Sequence, residues 1–254
     1  MKAKLLSALV LLPVSLSYAA DGPLKEKALE LSKAHKDSVL FLSAVVEMEV
    51  TAGENPSRKE EKKIEVLGTV IGADGLIVAP NSALDVAAAV DGRTFNTPQG
   101  PVKVSAKSTT KEVKILMPDG SEKAAKVAFK DPDLDLAFIR PEKPEEVKLT
   151  PINTADKAPM ALMDDVILLG RLGKDLNREP VVFTSEVVSI ITKPRTFGKV
   201  GTQTLGMPVF NKDGKFVGLG VNRFGAKSDA EQGGNPSSVV LPADDLVEAA
   251  AQAK

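Results

Sequence analysis

Few residues in this chain have the type and spacing for chemistry. Asp131, Asp133, Asp135 and Glu142 match positions 1, 3, 5 and 12 of a calcium-binding EF-hand loop. The sixth position is Leu136, where that loop needs glycine for its sharp turn, and the apolar LAFI run beginning there reads as a strand. The segment is therefore a turn leading into a strand. The chain has one histidine, His35, and no cysteine, so zinc has no ligand set. Gly72-Ala73-Asp74-Gly75 and Gly218-Leu219-Gly220 lack the spacing of a phosphate-cradling loop and read as turns or close-packed strand positions. No metal and no cofactor is expected. A serine such as Ser82 gains nucleophilic power beside a lysine, but sequence order alone places no lysine next to it.

The elements that must position these residues are short strands. Apolar residues are 43% and charged residues 26% of 254 residues, the balance of an ordinary globular protein. Tryptophan is absent, and 17 prolines and 19 glycines favour strands and turns over long helices. Leu24, Ala28, Leu31 and His35 are spaced for a short amphipathic helix over 24–37. From Ser38 the pattern changes to strands. SVLFLSAVVEMEV (38–50) is one, TAGENPSRKEEKK (51–63) reads as an exposed loop, and IEVLGTVI and LIVA flank the turn at Gly72–Gly75. EVKILM and EKAAKVAF are joined by Pro118-Asp119-Gly120, a hairpin turn. Residues 85–111 begin helix-like and end as a polar, proline-bearing excursion. PEKPEEVKLTP (141–151) has the composition of a linker. The second half is again short strands, and PADDLVEAAAQAK closes the chain as a helix with proline and acids at its start. Two runs of about six strands each imply two small β-barrels.

The first residues have the form of an export signal. Lys2 and Lys4 precede an apolar run from Leu5 to Leu16, and Ser17-Tyr18-Ala19 supplies small residues for cleavage. The run is too short to span a bilayer comfortably. Cleavage removes two lysines and no acid from a formal net charge of −1, and no basic stripe offers a nucleic-acid footprint. The expectation is a periplasmic or secreted protein with no membrane association after cleavage. With no cysteine, its core must hold without disulfides.

Four segments, in order, resemble the trypsin-like peptidases, most closely the protease domain of the HtrA (DegP-like) serine proteases. GTVIGADGLIVAPNSAL (68–84) is similar to the strand–turn–strand that delivers the catalytic histidine. MPDGSEKAAKVAFKDPDLDLAFIR (117–140) resembles the hairpin and Asp-Leu-Ala segment that deliver the aspartate. TLGMPVFNKDGKFVGLGV (204–221) resembles the serine loop and the strand lining the specificity pocket. SSVVLPADDLVEAA (237–250) resembles the last strand and closing helix. The likeness covers roughly residues 38–250.

The resemblance implies an all-β fold of two packed antiparallel six-stranded β-barrels with short N-terminal and C-terminal helices. It divides the chain into a signal peptide (1–19), a helical segment (20–37), a first barrel (38–142), and a linker with the second barrel and closing helix (143–254). The chain ends where the family's PDZ domain would follow, so none is expected. The family's histidine falls on Ser82, its aspartate on Asp135 and its serine on Leu205. Gln203 and Met207 replace two of its glycines.

Serine hydrolysis needs a hydroxyl nucleophile, a base and oxyanion donors. Leu205 is no nucleophile, and a serine hydroxyl at position 82 accepts no proton near neutral pH. Asp135 also has a plain structural reading, as a polar residue opening a strand. The resemblance thus implies a pseudoprotease that binds a peptide or protein segment or acts as a scaffold. The other reading is an active hydrolase with an unorthodox centre at Ser82 or Asp135. In the family, substrate backbone adds as a strand along the edge after the serine loop. That edge falls here on Gly220, Val221, Asn222, Arg223 and Phe224. Residues 225–236 follow directly and could cover it.

Overall fold

A computed structural model describes residues 22–223 and 236–253. The amino-terminal 21 residues, Phe224 and most of the following loop lie outside the described residues.

The first barrel holds β1 (Val39–Ala52), β2 (Arg58–Val70), β3 (Ile77–Pro80), β4 (Thr94–Thr97), β5 (Gly100–Leu116), β6 (Glu122–Asp131) and β7 (Leu136–Pro141). Six of them close a ring in the order β1-β2-β3-β7-β6-β5 and back to β1, and β4 hangs on the outside of β5. The second barrel closes as β10-β13-β12-β11-β8-β9. Its strands are β8 (Asp165–Arg171), β9 (Pro180–Ile191), β10 (Phe197–Val200), β11 (Pro208–Asn211), β12 (Phe216–Arg223) and β13 (Ser237–Pro242). All the strand pairings within both rings are antiparallel. Closure gives each strand of a ring two neighbours, but β12 runs on to Arg223 beyond its pairing with β11, which stops at Leu219.

Turn chemistry sets the hairpins. Between β5 and β6 the Gly120 N–H donates to the Met117 carbonyl at 2.9 Å, and the Asp119 carboxylate accepts from the Ser121 N–H at 2.9 Å. Two segments depart from the sequence reading. The loop after β1 is shorter than 51–63, because strand β2 already starts at Arg58. The polar excursion of 85–111 is in large part strand: β4 and the first part of the 17-residue β5 form a hairpin there. Val102, Val104 and Ala106 alternate with Lys103, Ser105 and Lys107, and only Ala106 of these is buried. That half-wet alternation suits a strand beyond the barrel proper.

Three apolar clusters make the core. One fills the first barrel with Leu40, Leu42, Val70, Ile77, Ile115 and Ile139. A second fills the other barrel with Val166, Leu168, Val187, Val209 and Val240. The third lies between them and joins Val78, Leu136 and Phe138 to Ile167, Phe210, Phe216 and Val221. Phe138 and Phe216 are essentially fully buried, each stabilising by about 2 kcal/mol over exposure. The helices α1 (Gly22–Ala34) and α3 (Ala243–Ala250) add Ala28, Leu31, Leu246 and Ala249 to this shared layer. The barrels are therefore pressed together by apolar area, and polar groups at the seam must find partners there.

Candidate functional site

Ser82 sits in α2 (Asn81–Leu84), a single turn directly after β3. Asp135 ends the turn between β6 and β7. That turn is held by the Asp131 carboxylate, which accepts from the Leu134 N–H at 3.0 Å. Asp131 thus holds a turn, and no cluster of three or more metal-ligating side chains occurs among the described residues. The turn leaves Asp135 at φ 59°, a left-handed conformation that aspartate tolerates better than most residues. Its carbonyl accepts from the Asn81 N–H at 3.0 Å, locking the two turns together.

Asp135 is 3% exposed. One carboxylate oxygen, Oδ1, accepts from the Ser82 N–H at 2.6 Å. The other, Oδ2, accepts from the Ser82 hydroxyl at 3.0 Å and from the Asn222 N–H at 2.6 Å. The Asn222 side-chain amide donates in turn to Ser82 Oγ at 3.1 Å. Asn222 belongs to β12, so this network crosses from one barrel to the other. Burial pushes the Asp135 carboxyl above its usual range, while the two N–H donors and the hydroxyl pull it back. Burial prevails because a charge in an apolar seam loses more hydration than three donors restore.

Leu205 lies in the loop between β10 and β11 and forms a parallel bridge with Gly220. The Gly206 N–H donates to the Gly220 carbonyl at 2.8 Å, and the Gly220 N–H to the Met207 carbonyl at 2.9 Å. Gly206 has φ 77°, and a Cβ there would stand 2.6 Å from the Leu67 carbonyl oxygen. Its own carbonyl accepts from the Thr69 hydroxyl at 3.1 Å, which fixes the loop to the first barrel. Glycine is required at 206 for both reasons. Gln203 is not among the described non-glycine residues with positive φ; this position, glycine in the family, has ordinary backbone here.

The structure brings Ser82, Asp135 and Asn222 into direct contact. Leu205 is tied to the same strand two residues earlier, at Gly220, and makes no hydrogen bond to the other three. Of the expected peptide edge, Gly220 has both main-chain groups engaged by the loop, and the Asn222 N–H is held by Asp135. Val221 and Arg223 pair with Val239 and Ser237 of β13. Phe224 lies outside the described residues. No hydrogen bond from a described residue reaches the Asn222 carbonyl. Ladder alternation turns it toward the same side as Gly220.

Two other candidates resolve simply. His35 stacks on Phe210 with ring centroids 5.6 Å apart and shares a 3.1 Å hydrogen bond with the Ser38 hydroxyl. Burial lowers its pKa, and it packs α1 onto the second barrel. Ser82 has Asp135 and Asn222 as partners and no lysine, so the described residues form no Ser–Lys dyad. Sequence reasoning placed Asn222 on the edge but missed its bonds to Ser82 and Asp135. Those partners lie 140 and 87 positions away, beyond any local signal.

The model of the trypsin-like peptidase domain family matches residues 66–219, more than half of the chain. No curated protein matches the sequence significantly. Among solved structures, the chain is similar to the MamO protease domain of Magnetospirillum magneticum in its apo form. Identity is 16%, the TM-score is 0.49, and the alignment covers 85% of this chain and 96% of that one.

Proposed function

Because the chain belongs to the trypsin-like peptidase domain family, we propose that it is a member whose hydrolytic triad is lost and whose work is to bind a peptide or protein segment, or to serve as a scaffold. The observation that carries this reading is the state of Asp135. Its carboxylate is held by two backbone N–H groups and the Ser82 hydroxyl, where an aspartate serving catalysis orients a histidine. Ser82 supplies no base and Leu205 no nucleophile. What was a proton-handling site is then a polar clasp between barrels.

Binding needs less than catalysis. Strand addition uses main-chain groups and pockets, not a triad, and the Asn222 carbonyl is one such group. Treating the protein with a fluorophosphonate probe and locating adducts by mass spectrometry tests the loss of chemistry. The expected result is no labelled serine and no hydrolysis of unfolded casein. A specific adduct on Ser82 would establish instead the alternative, a hydrolase with Asp135 as base. The 3.0 Å contact between that hydroxyl and the carboxylate is the observation in its favour.

The reading includes export to the periplasm or exterior with residues 1–19 removed, no nucleic-acid partner, and no membrane association after cleavage. Among the described residues no helix is long and apolar enough to cross a membrane. Amino-terminal sequencing of the protein from fractionated cells tests the first point; a chain that still begins at Met1 in the membrane fraction counts against it.

A further inference from the structure

Beside Asn222 the second barrel opens into a cleft of about 870 Å³. Its walls come from the end of β10 and the loop after it, from β12, and from the start of β13. Among the described residues one charged side chain lines it, Lys199, and no carboxylate does. The Lys199 ammonium donates to the Ser238 carbonyl at 2.7 Å. A lysine has three donors, so this bond leaves others. The Thr202 hydroxyl, the Gln203 amide and the Ser237 hydroxyl also line the cleft, and none hydrogen-bonds another described residue. Lys199 is itself only part-buried, so its charge stays in contact with solvent.

We infer that this cleft receives a carboxylate, carried by a peptide whose backbone meets β12 at Asn222. A cation beside neutral donors, with no acid among the described residues that line the cleft, favours an anion. Charge-assisted hydrogen bonds are about twice as strong as neutral ones. An aspartate or glutamate side chain and a chain-terminal carboxylate share this chemistry. The peptide part rests on the binding role proposed above; the carboxylate part rests on Lys199 alone.

The test uses the full chain and fluorescent peptides in matched sets: internal Asp or Glu against Asn or Gln, and free against amidated C-termini. Acidic peptides should bind about tenfold or more tightly than their amide counterparts. Lys199→Met should erase that preference, and Lys199→Arg should retain much of it. The set that shows the preference identifies the source of the carboxylate. Binding that ignores the acid-to-amide change, or a preference that survives Lys199→Met, overturns the carboxylate site while leaving peptide binding standing. A second arm titrates N-acetylglutamate and follows backbone amide shifts by NMR. Perturbation at Gly201–Gln203 and Ser237–Ser238, lost in Lys199→Met, upholds the carboxylate site even if every peptide fails. In that case the peptide-binding reading falls instead. No perturbation and no acidic preference sink the inference. Circular dichroism of both variants confirms that they fold.

Discussion

The Ser82–Asp135–Asn222 corner and the Lys199 cleft share one residue, Asn222, and treat their polar groups in opposite ways. In the corner each carboxylate oxygen is bonded, and Ser82 Oγ both donates and accepts. In the cleft a cation keeps donors in hand, and three neutral side chains have no partner among the described residues. A closed network holds a structure in place; an open one has something left to offer a ligand. Asn222 thus joins a bonded corner to the cleft proposed to receive a carboxylate.

The strongest way to break this comparison is to remove the clasp. Asp135→Ala leaves the N–H groups of Ser82 and Asn222 without an acceptor in a buried seam. Each orphaned donor costs about 1–3 kcal/mol, and alanine at φ 59° adds strain. A loss of about 3 kcal/mol or more is expected in urea unfolding. Lys199→Met, on the open side, should change stability by less than about 1 kcal/mol. Equal losses at the two positions would erase the distinction.

Next in size is Gly220→Ala. A Cβ at Gly220 would lie 1.7 Å from the Thr204 carbonyl oxygen, a backbone contact that cannot rotate away. The loop carrying Leu205 must then leave β12, at a cost of about 2 kcal/mol. Thr204 is fully buried and its hydroxyl bonds Ser238 at 2.7 Å, so the shift should reach the cleft wall. Peptide affinity measured by anisotropy should fall with stability. A variant as stable as the parent would show that the loop is not pinned there.

Much of this was legible in the sequence where local rules decide. Pro118-Asp119-Gly120 names its own turn, and the apolar runs around it name their strands. The 85–111 segment was not, because Pro98, Gly100 and Pro101 punctuate it and its strand faces are half-wet. Ser82, Asp135 and Leu205 could be singled out through resemblance, but what replaced their chemistry could not. That answer depends on Asn222, delivered by the other barrel. Lys199 gave a weak signal: a lone charge in a strand whose neighbours Phe197, Gly198 and Val200 are buried.

The smallest effect sharpens the comparison through pH. Burial raises the Asp135 carboxyl above its usual value, so the folded protein holds that proton more tightly than the unfolded chain. Its stabilising contribution is full below the unfolded value of about 3.9 and is lost as pH rises through the folded value. Glu65, in an ion pair with Arg178 across the barrels at 2.6 Å, is shifted down, chiefly by its hydrogen bond to that guanidinium. Its contribution is present above the unfolded value of about 4.3 and is lost as pH falls through the folded one. Melting temperatures of Asp135→Asn and Glu65→Gln against the parent, from pH 3 to pH 7, should therefore diverge in opposite directions. The parent's advantage over Asp135→Asn shrinks as pH rises, and its advantage over Glu65→Gln shrinks as pH falls. The Glu65 effect is worth about 1 kcal/mol at most, since the pair is partly solvated. If the advantage over Asp135→Asn instead grows with pH, the three donors of the clasp outweigh its burial, and the corner is stabilised by its charge rather than in spite of it.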